Sequence, residues 1–422
     1  NSPTLCQLYV AAALAPLRSA WPECLIYHYM DDILFCQKQP FESAQIGYIA
    51  DTLDYFGLPI AKDKIQMSWP WKYLGWLISD SVIRPQKLTI SAKLATLHDA
   101  QRLLGDLQWV RPVLGLRNED IAPLLPLLKG TDPAQPISVS PEQLQTLQAI
   151  ADKINSSWTH RAMEHVPFAI FILHTGPHVN TVIAQWRDGQ EGQEDKFYLI
   201  EWVFGAINPK KNIELTLEAM ADLIKRARLR TVAITGEEPV SIHLPMAPAE
   251  LEWALANSSP LQSSVLNWSG TLTTKFPSGK LGTLIKTQRW AGIPLRSERP
   301  LAEAVTVFTD AGGRTGKALV VWLREGNWHH EILEGSEGDS LQILELMAVC
   351  WAFNNWMSSR LNIVSDSLYV VGVVERIEDA AIRSAGRMRL VQLFRQLQQT
   401  IRQRSAPYCI IHISSHQLDK GL

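Results

Sequence analysis

The chain has 422 residues, 46% of them apolar and 19% charged, with a formal net charge of -2. That length exceeds a single small module and accommodates roughly three domains of ordinary size, each with its own core. The composition excludes a disordered chain, the lack of a long apolar run argues against a membrane span, and the near-neutral sum excludes a uniformly basic nucleic-acid binder while leaving local patches open.

In chain order, NSPTLCQLYVAAALAPLR carries a cap signature, Pro3 in the first turn and apolar helical periodicity. LIYHYMDDILFC, residues 25–36, brings two strand-forming runs together at the adjacent carboxylates Asp31 and Asp32, which fall where the chain must turn. FESAQIGYIADTLDYFGLPI is amphipathic and stops at Gly57, with Pro59 just beyond. IQMSWPWKYLGWLIS reads as aromatic strands, and a mainly helical stretch follows over 88–160, broken by the Pro/Ser-rich connector TDPAQPISVSPE. From about 165 to 245 the apolar runs FAIFIL, NTVIAQW, KFYLIEWVF and TVAIT read as strands, with the helix ELTLEAMADLIKRAR before the last of them. ANSSPLQSS reads as a loop over 256–264 and RSERPLAE as a linker over 296–303. The last block has strands AVTVF, KALVVWL and WHHEIL, helix SLQILELMAVCWAFNNW, strand LNIVSD, a helical region and strand YCIIHIS. No repeat of fixed period is visible.

The five cysteines, Cys6, Cys24, Cys36, Cys350 and Cys409, are widely spaced and lack a CxxC pair, so they read as buried thiols of a reducing compartment rather than zinc ligands. No signal peptide is apparent in the opening residues, and the expected location is cytoplasmic, or a virion if the chain is packaged. Lys210, Lys211, Lys225, Arg226, Arg228 and Arg230 form one basic cluster, and Arg383, Arg387, Arg389, Arg395, Arg402 and Arg404 a second. Each is either a nucleic-acid patch or a solvated helix face.

Adjacent carboxylates on a tight hairpin repel unless a cation neutralises them. Hard oxygen ligands suit Mg²⁺, with Mn²⁺ as a substitute, and the implied chemistry is phosphoryl transfer. The competing reading of Asp31 and Asp32 is a solvated turn. In the last block Asp310 follows a strand, Glu345 lies inside a helix, and Asp366 follows another strand, so the three can converge at one sheet edge. Glu345 is flanked by apolar residues with no basic residue within a turn, which makes its burial costly without a partner. The competing reading is a partly exposed Glu with a local basic neighbour. Three acids around two divalent ions about 4 Å apart would clamp the attacking water and the leaving oxygen of a phosphodiester. In QRLLGDLQWV, Gln101, Gly105 and Trp109 share one helical face, where a glycine lets a backbone approach a nucleic-acid minor groove and Trp109 can pack on sugars. The competing reading is a helix-packing glycine beside a core tryptophan.

YMDD at 29–32, between strands, resembles the palm hairpin of retroviral reverse transcriptases. WKYLGWLI at 71–78 resembles the primer grip of that family, and the 101–110 segment resembles its minor-groove track. TDAG at 309–312, LQILEL at 341–346, SDSLYVV at 365–371 and HISSH at 412–416 together resemble ribonuclease H in order and spacing. YMDD and the NSPTLCQLYV opening resemble betaretroviral and alpharetroviral polymerases, endogenous copies included. The resemblance implies a multidomain α+β and α/β chain: a partial palm at 1–80, a helical thumb at 81–160, an α/β connection domain at 161–300, and at 301–422 a ribonuclease H mixed sheet lacking its C-terminal end.

It further implies an RNA-directed DNA polymerase with ribonuclease H activity. Asp31 and Asp32 would be polymerase metal ligands, Asp310, Glu345 and Asp366 the nuclease ligands, and His416 the mobile histidine that assists product release or proton transfer. Tyr29, Met30, Tyr73, Leu74, Gly75, Gln101, Gly105 and Trp109 would contact nucleic acid. The implied partners are an RNA template, a DNA primer, the RNA–DNA hybrid and deoxynucleoside triphosphates, with no membrane; dimerisation is left open. The family's fingers and first catalytic aspartate precede the segment matched by residue 1, and its fourth nuclease carboxylate lies past Leu422. On that ground truncation, a silent polymerase and a weakened nuclease are expected. The rival expectation is a noncatalytic nucleic-acid-binding remnant.

Overall fold

The protein was analysed as a computed structural model that describes residues 2–86, 94–175, 178–187, 196–206, 213–277, 288–290, 292–382 and 388–414. It divides into two compact units, residues 1–116 with 123–162, and residues 117–122 with 163–422.

The first unit begins with α1 (Ser2–Ala20), whose Val10, Ala13, Leu14 and Leu17 recur at helical spacing and are buried. That stripe packs with α2 (Ser43–Tyr55), through Ile49 and Leu53, and with the hairpin of β1 (Leu25–Tyr29) and β2 (Asp32–Cys36). Each fully buried leucine in this core is worth about 2 kcal/mol of apolar transfer. Helix α2 closes where expected, with Gly57 left-handed at φ +71°. Strands β3 (Trp71–Tyr73), β4 (Trp76–Ile78) and β5 (Val82–Pro85) form an antiparallel meander. Helix α3 (Leu97–Leu114) starts in a Thr96/Asp99 capping box and ends at left-handed Gly115. The connector after it is not loose: Leu97 and His98 donate backbone bonds to Gln135 and Pro133, and Ile137 donates to Ala95.

The short α4 (Asn118–Ile121) belongs to the second unit. Helix α5 (Pro141–Ser156) and the two-residue β6 (Thr159–His160), which pairs with β5, complete the first.

The second unit holds two mixed five-stranded sheets. The first comprises β7 (Phe168–Thr175), β8 (His178–Arg187), β9 (Lys196–Val203), then β11 (Ser241–His243) and β12 (Thr271–Thr273). Between its meander and its parallel strands lie β10 (Ile213–Leu215) and α6 (Thr216–Thr235), and α7 (Pro248–Asn257) and α8 (Ser259–Ser264) precede β12. The second sheet comprises β13 (Val305–Gly312), β14 (Lys317–Arg324), β15 (Asn327–Glu334), β16 (Leu361–Ser365) and β18 (Tyr408–His412). Its helices are α9 (Leu341–Asn355), α10 (Leu368–Ile377) and α11 (Met388–Arg402), and β17 (Ala380–Ile382) lies outside the sheet.

Strand orders β9-β8-β7-β11-β12 and β15-β14-β13-β16-β18 are the same topology, an antiparallel meander joined to two parallel strands. The chain therefore contains a structural duplication with no matching sequence period.

Several expectations change. TVAIT is the end of α6, which runs on to left-handed Gly236, with the Thr231 and Thr235 hydroxyls returned to the carbonyls four residues back. The strand in that region is β11 instead. The loop expected at 256–264 is largely helical, since Ser258 caps α8 and Pro260 suits its first turn. RSERPLAE is no free linker: Ser297 donates its backbone N–H to Tyr408 O at 2.7 Å, and Leu301 exchanges two bonds with the Asn362 amide. Cys24, Cys350 and Cys409 are buried, but Cys6 and Cys36 are exposed.

Several described members of the basic clusters are paired with carboxylates or tied to the backbone. Arg226 pairs with Asp222, Arg228 with Glu238 and Arg230 with Glu201. Arg404 is buried and donates to the Trp356 and Ser359 carbonyls, Arg402 donates to Glu378 O, and Arg389 lies 3.9 Å from Asp339. Lys210, Lys211, Arg383 and Arg387 lie outside the described residues. No helix among the described residues is long and apolar enough to cross a membrane.

Candidate active sites

In the β1–β2 hairpin, Tyr29 pairs with Asp32 and leaves Met30 and Asp31 as a two-residue turn. Met30 sits at φ +54°, a left-handed conformation that disfavours a side chain. The turn is held from α1: Gln7 Oε1 accepts the Met30 N–H at 2.7 Å, and Gln7 Nε2 donates to His28 O at 3.2 Å. Arg18 backs this arrangement by donating to Ile26 O at 3.0 Å and by meeting His28 Nδ1 at 3.1 Å. Both aspartates are exposed, on neighbouring positions of a rigid turn. The negative charge of Asp32 reaches Tyr73, whose phenol is raised first by burial and then by that aspartate. Two of the expected residue sets, 29–32 and 73–75, therefore lie in one neighbourhood.

The turn at Leu74 and Gly75 has both residues left-handed, at φ +45° and +82°, as a hairpin turn matched to strand twist requires. Trp109 donates Nε1–H to Leu74 O at 3.3 Å, and its ring lies 6.3 Å from that of Trp76. Further along the same face of α3, Gln101 and Gly105 are exposed, and a Cβ added at Gly105 would meet nothing within 4 Å. Trp109 itself is 56% exposed. The reading of a packed glycine beside a core tryptophan is thus excluded, and an open strip remains.

In the second sheet, Asp310 lies just past the ladder pair Thr309↔Ser365, and Asp366 follows the same pair on the neighbouring strand. Glu345 comes from the middle of α9, between buried Leu344 and Leu346. Its partner is not a local base: Ser367 Oγ donates to Glu345 Oε2 at 2.6 Å. Burial raises the Glu345 carboxyl, the Ser367 bond opposes that rise, and the charges of Asp366 and Asp310 add to it. The three acids therefore feel one another, and a divalent cation would relieve both the repulsion and the desolvation. As placed they do not form a closed cage, since no group of three His, Cys, Asp or Glu side chains among the described residues is set to hold a metal ion. Asp310 Oδ1 instead accepts the Ala311 N–H at 2.7 Å. In charge and donor chemistry the three carboxylates suit a hard divalent cation. His416 lies outside the described residues; the described histidine nearby is His412, whose Nε2 is 3.3 Å from Asp366 O.

The first sheet lacks these acids. Its parallel ladder closes at Phe171↔His243, and the next residue on each strand is Ile172 and Leu244, both fully buried. Gln7, Ser367 and His412 were not singled out from sequence. Ser367 stood beside Asp366 in the SDS motif, but nothing local linked Gln7 to a turn 23 residues away.

A hairpin that turns at adjacent aspartates beside a second, aromatic hairpin, together with two sheets of one topology of which, among the described residues, the second carries Asp310 and Asp366 at its strand ends, points to a polymerase–nuclease class. Family comparison agrees. Models described as "Reverse transcriptase (RNA-dependent DNA polymerase)", "Reverse transcriptase thumb domain", "ERVK-8-like, RNaseH-like domain" and "RNase H" match residues 1–78, 85–148, 178–281 and 302–421. The chain belongs to the retroviral Pol reverse transcriptase/ribonuclease H family. It is 32% identical to the Gag-Pro-Pol polyproteins of squirrel monkey retrovirus and Mason-Pfizer monkey virus, over 99% of this chain in each case. It is 30% identical to that of sheep pulmonary adenomatosis virus over 100% of the chain. It spans 22%, 23% and 24% of those three polyproteins, respectively.

Proposed function

We propose that the chain is the part of a retroviral RNA-directed DNA polymerase that seats the primer–template duplex and cleaves the RNA strand of the hybrid. The domain reading that goes with this is palm at 1–80, thumb at 81–160, connection at 161–300 and ribonuclease H at 301–422. One observation carries the nuclease half: Asp310 and Asp366 follow the same ladder pair on neighbouring strands of the second sheet, and the charges of both reach Glu345 on α9.

In this reading Asp310, Glu345 and Asp366 hold Mg²⁺ or Mn²⁺, and Asp31 and Asp32 hold the polymerase cations. Bound divalent cations would supply Lewis-acid stabilisation of the charge that develops on the phosphate. The side chains bind and orient. Ser367 fixes Glu345, and the strand ends present Asp310 and Asp366 to the backbone of the hybrid. Gln101, Gly105 and Trp109 track the duplex, Tyr73, Leu74 and Gly75 seat the primer end, and Tyr29 and Met30 flank it. RNA template, DNA primer and deoxynucleoside triphosphates are the partners, inside the cell or a virion.

The test is cleavage of an RNA–DNA hybrid by the purified chain in Mg²⁺ or Mn²⁺, compared with Asp310→Asn, Glu345→Gln and Asp366→Asn. The proposal expects each substitution to reduce cleavage at least about 100-fold while hybrid binding persists. The rival reading is noncatalytic nucleic-acid binding. It expects no cleavage and salt-sensitive binding that none of the three substitutions alters.

A further inference from the structure

Ser367 carries two duties at one atom. Its Oγ donates to Glu345 Oε2 at 2.6 Å, and it accepts the Val370 N–H at 3.3 Å as the cap of α10. The residue is 9% exposed, so little water competes for either bond. Its own backbone N–H is tied to Ser365 Oγ at 3.2 Å, and Ile413 donates to Ser365 O at 3.1 Å. The hydroxyl therefore stands on a fixed platform that joins β16, β18 and α10.

Glu345 has no such support from its own helix. Its side chain has several rotatable bonds, and its neighbours Leu344 and Leu346 offer no polar atom. A glutamate free to rotate would lose rotamer entropy on capturing a cation. With Oε2 held by Ser367, Oε1 is the oxygen left to turn toward Asp310 and Asp366.

We propose that Ser367 is a positioning residue for the nuclease carboxylates: it presets Glu345 through Oε2 and leaves the other oxygen to bind a divalent cation. The inference rests on the nuclease reading above, and it assigns Ser367 a role separate from capping the helix. Hydrogen bonds to an ionised partner are the stronger kind, and losing one weakens binding by about tenfold.

The test measures Mn²⁺ affinity of the full chain by calorimetry, alongside thermal melting, for wild type, Ser367→Ala, Ser367→Gly, Ser367→Thr and Glu345→Gln. Glycine is tolerated at a helix cap far better than alanine, whereas neither can donate to Glu345. The expected result is a roughly tenfold loss of affinity in both the Ala and Gly variants, with the Thr variant close to wild type. Loss confined to Ser367→Ala, tracking its melting temperature, would reduce Ser367 to a cap and overturn the proposal. So would wild-type affinity in the Ala and Gly variants when Glu345→Gln binds weakly. If Glu345→Gln itself binds Mn²⁺ like wild type, the nuclease reading fails and takes the positioning role with it.

Discussion

At the scale of single residues, polar side chains from distant sequence hold groups in conformations they would not otherwise keep. The Met30 turn depends on Gln7, which supplies an acceptor to a half-buried N–H and is itself anchored to His28. Gln7→Ala is expected to destabilise the first unit by about 1–2 kcal/mol, read as a shift in its urea midpoint. His243 shows the same logic in an apolar setting. Its ring stacks on Phe171 at 4.1 Å, Nδ1–H donates to Lys275 O at 2.6 Å, and Nε2 accepts from Ser241 at 2.9 Å, so the folded ring is neutral. Burial pushes it down to about 4, more than the Lys275 hydrogen bond restores. The unfolded chain binds a proton near 6.5 and the folded one does not until about 4, so stability present above 6.5 is lost as pH falls through that window. The loss amounts to about 3 kcal/mol by pH 4. Denaturant titrations between pH 7 and 4 should show it, and His243→Phe should remove that part of the slope.

Elements decide what the open strip on α3 can do. Leu103, Leu104, Leu107 and Val110 bury one side of the helix and leave Gln101, Gly105 and Trp109 on the other, with space around Gly105. A helix-interior glycine costs about 1 kcal/mol relative to alanine. Gly105→Ala is thus expected to stabilise the first unit by about that amount, in thermal melts, while weakening binding to an RNA–DNA duplex in the proposed role. Stabilisation with unchanged duplex affinity would remove Gly105 from the binding face. This strip was legible in sequence because helical spacing alone sets a shared face. TVAIT was not: its β-branched run reads locally as a strand, whereas it continues α6, with Thr231 buried on the same helix as Leu223, Ile224 and Ala227. The basic clusters stayed open in sequence for a related reason, since Glu201 and Glu238, which pair with Arg230 and Arg228, come from other parts of the chain.

Across the whole of the second unit, the duplicated sheets are joined by a polar junction rather than by a simple linker. Strand β10 precedes the helix of the first sheet and pairs with β17 beside the second. At that seam Asp379 accepts from Trp290 Nε1 at 2.7 Å and from Thr216 Oγ1 at 3.0 Å, while Arg376 pairs with Glu218 at 3.0 Å. Burial raises the Asp379 carboxyl, and the hydrogen bonds from Trp290 and Thr216 oppose that rise. Neither the duplication nor the seam could be read from the sequence, because pairs such as Thr216 with Asp379, 163 residues apart, leave no local pattern. The element positions of Asp310, Glu345 and Asp366 were legible, since strand and helix patterning alone puts two of them at strand ends and one inside a helix. If the seam couples the two sheets, residues 163–422 unfold as one cooperative body. Asp379→Ala leaves the Trp290 and Thr216 donors without an acceptor and should cost about 2–4 kcal/mol, whereas Asp379→Asn keeps an acceptor and should cost less than about 1 kcal/mol. Hydrogen exchange provides the reading: in wild type the amides of β8 and β14 should share one opening free energy, and in Asp379→Ala they should separate. Retained coincidence in the Ala variant would assign the coupling to β10 and β17 alone.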